Sequence, residues 1–381
     1  MRSSVGWVPS FRRVITPLLV VAAIVVAIVV VFLPLTPSYD LDVFLRAGYA
    51  AVHGQQVYPS PGSPAVYSGS SFVYPYFAVW PFAALAGLSS GLSTMLFFFL
   101  CVCAVLVACL VGARGDAWPA ILTLCSAFTI TGLQLGALSP LLFVGAVFLW
   151  RLRDRPLAFA LLAAPVIACK LFLAPLLVWP LLARRYRAFA YASTASLALL
   201  ALSFALGPIG PALYLKLLSQ LGAHEASSGF GLVGALISAH LSPTASEAIA
   251  AAVALVLCVA AHVHFRHTHD ERVSFCAGIV VSLVLTPVLW SHYLVLLSAM
   301  LLVLGARRRW FVALVLMSWV ISPPHGVHLG REVIERVSAS GAWPAVGVAL
   351  LLACAAATYR GARAKSRRRS RVASVADPRL T

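Results

Sequence analysis

The chain has 381 residues, is 61% hydrophobic and only 10% charged, and has a mean hydropathy of +0.96. A soluble domain is about 25% charged, so this composition excludes one, and the absence of apolar–polar alternation excludes a β-barrel. The formal net charge of +17 does not imply a nucleic-acid partner, because the basic residues sit in short clusters between apolar stretches, as cytoplasmic loops do.

Residues 14–35 are the first predicted crossing. The stretch is too long for a signal-peptide core and lacks a clear small-residue cleavage site, so it reads as an anchor. Arg2, Arg12 and Arg13 before it place the N-terminus in the cytoplasm. Residues 36–74 follow as an outer loop rich in Pro, Gly, Ser and Tyr. An interfacial helix is predicted within it. Leu41, Phe44, Leu45, Gly48 and Val52 form its apolar face, Asp42, Arg46, Tyr49 and His53 the polar one, and Gly54 ends it. Residues 75–112 read as a short helix and a long one, although the charge pattern asks for an odd number of crossings there.

The basic clusters at 151–155, 184–187, 266–272, 307–309 and 360–371 read as cytoplasmic. The segments between them then expose Gly132–Pro140, the region of Lys170, Gly207–Gly229, residues 291–293 and Pro323–Arg336 on the outer side. The expected fold is all-α: one polytopic integral membrane domain over 1–359, with about twelve crossings and both termini inside. Residues 360–381 are a basic cytoplasmic tail, expected to be disordered. All eight Cys lie within apolar segments, and their spacing implies no zinc site.

Few residues can carry chemistry. Asp40 and Asp42 are two of only 11 acids, and both lie in the outer loop. Arg46, at i+4, offers Asp42 a structural partner; Asp40 fits a helix cap, a role compatible with an ionised carboxylate that takes a proton. Lys170 is alone in apolar sequence near an outer tip. It can hold an anionic phosphate or snorkel to headgroups. The stretch 286–293 is a Pro-broken helix end carrying Trp290, His292 and Tyr293. His262, His264, His267, His269 and Asp270 are irregularly spaced beside arginines and read as a solvated juxtamembrane stretch; the pair His325 and His328 has no third ligand. No metal or other cofactor is called for.

The motifs through these residues resemble those of the actinobacterial polyprenol-phosphate-mannose-dependent mannosyltransferases of glycosyltransferase family 87, in the GT-C class. Asp40-Leu-Asp-Val-Phe44 resembles the family's Asp-Leu-x-Val-Tyr, which puts the base on Asp40. Gly54-Gln-Gln-Val-Tyr58 and Phe72-Val-Tyr74-Pro75-Tyr76 resemble the two motifs that follow. Gln134 is displaced within a Leu-Gly-Gln-x-Asn motif whose Asn is missing here. Lys170 matches the Lys of Ile-Lys-Pro, with Leu171 in place of Pro. Pro287-Val-Leu-Trp290-Ser-His292 resembles Pro-x-x-Trp-x-His. Glu225-Ala-Ser227-Ser228 stands where the family often has Asn-Gln-Ser.

The resemblance implies an inverting membrane transferase that moves mannose from a polyprenyl-phosphate donor to a glycolipid or lipoglycan acceptor on the extracytoplasmic face of the cell membrane. Asp40 would be the base and His292 would assist it. Lys170, Arg46, Asp42, Gln134, Trp290 and Tyr293 would bind substrate. An arabinofuranosyltransferase with a decaprenyl-phosphate donor and a transporter or flippase are the alternatives; a transporter would show repeated halves, and no internal repeat is evident.

Overall fold

The computed structural model describes residues 38–324, apart from the side chain of Ser228. The predicted first crossing, the His325–His328 pair, most of Pro323–Arg336 and the basic tail lie outside the described residues. Within them the chain is helical, with no strand.

The outer-loop helix is present as α1, Tyr39–Val52. It lies on α2, Trp80–Leu85, through aromatic contacts: the fully buried Phe44 ring stacks on Phe82 at 4.4 Å. Burying a Phe side chain is worth about 1.5–3 kcal/mol. Gly48 makes the approach possible, since a Cβ there would meet the Phe82 carbonyl and the Ala83 nitrogen at 2.7 Å. Leu41, Phe44 and Gly48 are buried as predicted, but Leu45 is half-buried and Val52 is 64% exposed.

Beyond the short Tyr76–Leu85 segment comes α3, Ser90–Gly112, which leaves one helix of crossing length in the ambiguous 75–112 stretch. There follow α4 (Trp118–Leu124), α5 (Ala127–Leu135), α6 (Ser139–Leu152), α7 (Pro156–Cys169), α8 (Val178–Leu182) and α9 (Tyr186–Leu206). The rest is α10 (Pro211–Glu225), α11 (Leu232–Ser238), α12 (Pro243–Thr268), α13 (Glu271–Leu285), α14 (Leu296–Leu304) and α15 (Arg308–Ile321). Among the described residues three helices, α3, α9 and α12, are long and apolar enough to cross a bilayer; α4 and α5, bent by 57°, make a fourth if they are one span. The other apolar helices have 10–17 residues, short of the ~20 a straight crossing needs. The expected count of about twelve is therefore not reached by whole helices among the described residues. Breaks at Lys170 and Pro287 are two reasons.

The bundle has two chemically distinct ends. At one, Arg185 donates to both Glu271 carboxylate oxygens at 2.7 Å and meets Asp154 at 2.8 Å, tying three basic loops together. From there α7 and α13, of 14 and 15 residues, run about 21–22 Å at 1.5 Å per residue. They end at Lys170 and Thr286, at the opposite end.

Candidate functional site

At that opposite end lies a cavity of about 1150 Å³. Segments from all four outer regions of the alternating charge pattern that the structure fully describes contribute to it or adjoin it. They include Leu135 on α5, Lys170, the α10 residues Tyr214 and Glu225, and Ser291 to Tyr293. Asp40 enters from α1.

Asp40 is the second residue of α1. Ser38, not Asp40, occupies the cap position, and its side chain makes no cap bond. An acid in the first turn is still favoured by the helix dipole. The carboxyl is half-buried against the cavity. Burial raises its pKa above the ordinary carboxylate value, and the Lys170 cation pulls in the opposite direction. The position of α1 depends on Gly136, which ends α5 in the left-handed conformation at φ +65°; a Cβ there would collide with Leu41, next to Asp40.

Lys170 breaks the helix pattern. It is extended between α7 and the 3-10 turn Leu171–Leu177, and it lines the cavity. Its Nζ stands 4.2 Å from the centre of the Tyr74 ring and 5.0 Å from that of Tyr293. Cation–π contact of this kind holds an ammonium without neutralising it. Among the described residues Lys170 makes no ion-pair contact, which leaves its charge available to an anion in the cavity.

The third wall follows from Pro287. Without an N–H, and with the preceding residue pushed into extended conformation, Pro287 stops α13; Thr286 is indeed extended. The break is pinned by a 2.6 Å hydrogen bond from the Phe230 amide to the Leu289 carbonyl and by the Thr286 hydroxyl donating to Val288 O at 3.1 Å. The chain then restarts as a 3-10 turn, Ser291–Val295. Trp290, His292 and Tyr293 all line the cavity. His292 is 3% exposed, yet its Nε2 is buried without a hydrogen-bond partner among the described residues.

Three predicted residues do not line the cavity. Gln134 is buried elsewhere on α5, while its neighbours Thr131 and Leu135 reach the space. Asp42 and Arg46 do not form the expected carboxylate pair. Instead the Arg46 guanidinium donates to the carbonyls of Asp42 at 3.2 Å and Ser70 at 3.4 Å. A fork with several donors can bridge two backbone acceptors, so Arg46 fastens the lining loop Ser68–Ser71 to α1.

Tyr74 and Glu225, both lining residues, were not anticipated as site residues. Tyr74 is held by its neighbours. The Tyr58 hydroxyl donates to the Tyr74 carbonyl at 2.7 Å and the Tyr214 hydroxyl to the Val73 carbonyl at 3.1 Å. The recurrence of Tyr in the stretches 54–58 and 72–76 was the available signal. The histidines between 262 and 269 do not converge: among the described residues no three His, Cys, Asp or Glu side chains are placed to share a metal ion.

A family model, glycosyltransferase family 87, matches residues 72–291. The match contains Tyr74, Lys170, Glu225 and Trp290; Asp40 lies before it and His292 just beyond it. No curated protein and no solved structure matches the chain.

Proposed function

The chain belongs to glycosyltransferase family 87, and we propose that it transfers mannose from a polyprenyl-phosphate donor to a hydroxyl of a membrane glycolipid or lipoglycan. It is a membrane glycosyltransferase, and its cavity end faces outward, with the basic end and both termini in the cytoplasm. The shorter apolar helices are read as pieces of broken crossings, giving about twelve in all. One observation carries the reading: a carboxylate, a lysine ammonium and an unpartnered imidazole nitrogen, from three distant parts of the sequence, line one cavity.

The chemistry follows from their charges. Asp40 accepts the proton of the acceptor hydroxyl as that oxygen bonds to the anomeric carbon. The bond from the anomeric carbon to the phosphate oxygen breaks on the opposite side, with inversion. Its electron pair leaves on the polyprenyl phosphate. Lys170 holds that phosphate and its growing charge. His292 Nε2 supplies a hydrogen bond to the phosphate or to the acceptor hydroxyl. Asp40 then returns its proton to solvent. Tyr293 and Trp290 supply apolar and aromatic walls, and Arg46 holds the loop that lines the cavity.

The test uses membranes containing the protein, radiolabelled polyprenyl-phosphate mannose and total membrane lipid as acceptor. Label should move into a more polar lipid product, and Asp40→Asn should reduce the rate by about 10²–10⁴-fold, the usual worth of a general base, while donor binding persists. Label transferred from decaprenyl-phosphate arabinose instead would replace the sugar. Near-normal transfer by Asp40→Asn would remove the base.

A further inference from the structure

Glu225 is a poor residue for its position by local rules. It is the last residue of α10, where the helix dipole is negative and an acid is disfavoured. It is half-buried and lines the cavity. Among the described residues it has no hydrogen-bond or ion-pair partner. Partly desolvated carboxylates normally find donors within the protein. One held at an unfavourable helix end, without such a donor and facing an open cavity, is placed for a donor that arrives with a ligand.

The surroundings decide what that ligand is. The 61–71 loop braces this end of α10: the Gly62 amide donates to Gln220 Oε1 at 2.9 Å, and the Tyr67 ring lies 4.8 Å from the His224 ring. Gly222 faces Pro287 closely enough that a Cβ added there would lie 3.7 Å from the Pro287 ring. Glu225 is thus fixed relative to both the lining loop and the Trp290–Tyr293 wall. Its carboxyl is raised by burial, lowered by His224 and Lys170, and raised again by Asp40, so it shares one electrostatic field with both site charges. A second carboxylate repels the donor phosphate and leaves Lys170 as its anchor. What a carboxylate binds well is a hydroxyl, above all adjacent hydroxyls, because it accepts from two at once.

We propose that Glu225 binds the acceptor, accepting hydrogen bonds from one or two hydroxyls of the acceptor sugar beside the one that attacks, and so selects which hydroxyl reaches Asp40. The proposal rests on the transferase reading above. It makes Glu225 a specificity residue and gives it no proton to move.

The experiment compares the full-length protein with Glu225→Gln and Glu225→Asp in membranes. The acceptors are octyl α-mannoside, octyl α-glucoside, total membrane lipid, and the monodeoxy forms of whichever octyl glycoside is used. Glu225→Gln should raise the acceptor KM by about tenfold or more, the worth of a charged hydrogen bond. The donor KM should stay within about twofold, and Glu225→Asp should fall between. One monodeoxy acceptor should be poor for the unaltered protein yet no poorer than its parent for Glu225→Gln. An unchanged acceptor KM, or a loss confined to kcat together with loss of the acid limb of the pH profile, would overturn the proposal; the latter would make Glu225 the base. Transfer by the unaltered protein to none of these acceptors would overturn the transferase reading itself, which separates the two failures.

Discussion

Asp40 and Lys170 line the same cavity without making contact, and their separation has a kinetic consequence. On the proposed mechanism Asp40 must be ionised to take the acceptor proton, and burial makes it harder to ionise. Activity should therefore rise with pH through a pKa above the ordinary carboxylate range, so the acid limb of kcat/KM lies higher than for a solvated Asp. Lys170 opposes that shift. Removing its charge in Lys170→Met should move the acid limb to still higher pH, besides weakening donor binding. A pH–rate profile of transfer for the two proteins checks both signs; a limb that stays put or moves down in Lys170→Met would separate the two residues. At this scale the sequence singled out Asp40, Lys170 and His292, which line one cavity, because a lone charge in apolar sequence and a Pro-broken helix end have few bland explanations. It did not reveal where Arg46 would bond. Spacing at i+4 offers a carboxylate, but backbone carbonyls at Asp42 and Ser70 compete for the same guanidinium, and no periodicity reports a carbonyl 24 residues away. Glu225 stood out as an acid at the position of the Asn-Gln-Ser motif, but nothing in its spacing placed it at the same cavity as Asp40.

Elements carry the geometry that the residues need, and two close approaches matter most. The apolar stripe of α1 was legible from its 3–4 spacing, but the stripe does not stay covered to its end, and Val52 in the last turn is exposed. Helix lengths were the least legible feature. Hydropathy counts apolar residues and does not see that Lys170 and Pro287 divide them into pieces. Gly136 shows how an element boundary acts on the site. Its left-handed backbone and its contact with Leu41 both reject a side chain. Gly136→Ala should cost about 1–2 kcal/mol from the backbone alone, and the displaced Leu41 should carry Asp40 with it. Both Tm and turnover should fall. Gly91, on α3 with open space around it, is the control. Gly91→Ala, at the second residue of α3 where interior helix propensity acts only in part, should raise stability by about 0.5 kcal/mol or less and leave transfer unchanged. Thermal unfolding in detergent, paired with the transfer assay, reads both effects; equal responses of the two variants would show that Gly136 does not position α1.

Across the whole molecule, the candidate site and the Arg185 ion-pair cluster are at opposite ends. The alternation of basic clusters and polar segments had already sorted the loops into two sets, and the folded chain gathers members of each set at one end. This was legible because the positive-inside pattern is a property of whole loops and survives errors in helix count. What binds the basic end was not legible, since three loops separated by up to 117 positions meet there through Arg185. Its two carboxylate partners differ in burial. Glu271 is 19% exposed and bonded to two guanidinium nitrogens, whereas Asp154 is 63% exposed. A well-shielded charged hydrogen-bond pair contributes about 1.5–3 kcal/mol, and an exposed pair about 0–1 kcal/mol. Glu271→Gln should therefore destabilise the protein clearly more than Asp154→Asn. Both should leave the acceptor and donor KM values unchanged, because about 21 Å of helix separates this end from the cavity. Tm shifts measured beside transfer kinetics test the ranking and the separation together. A rise in either KM with Glu271→Gln would mean that the two ends are coupled through α13, which begins at Glu271 and ends at the wall that carries His292.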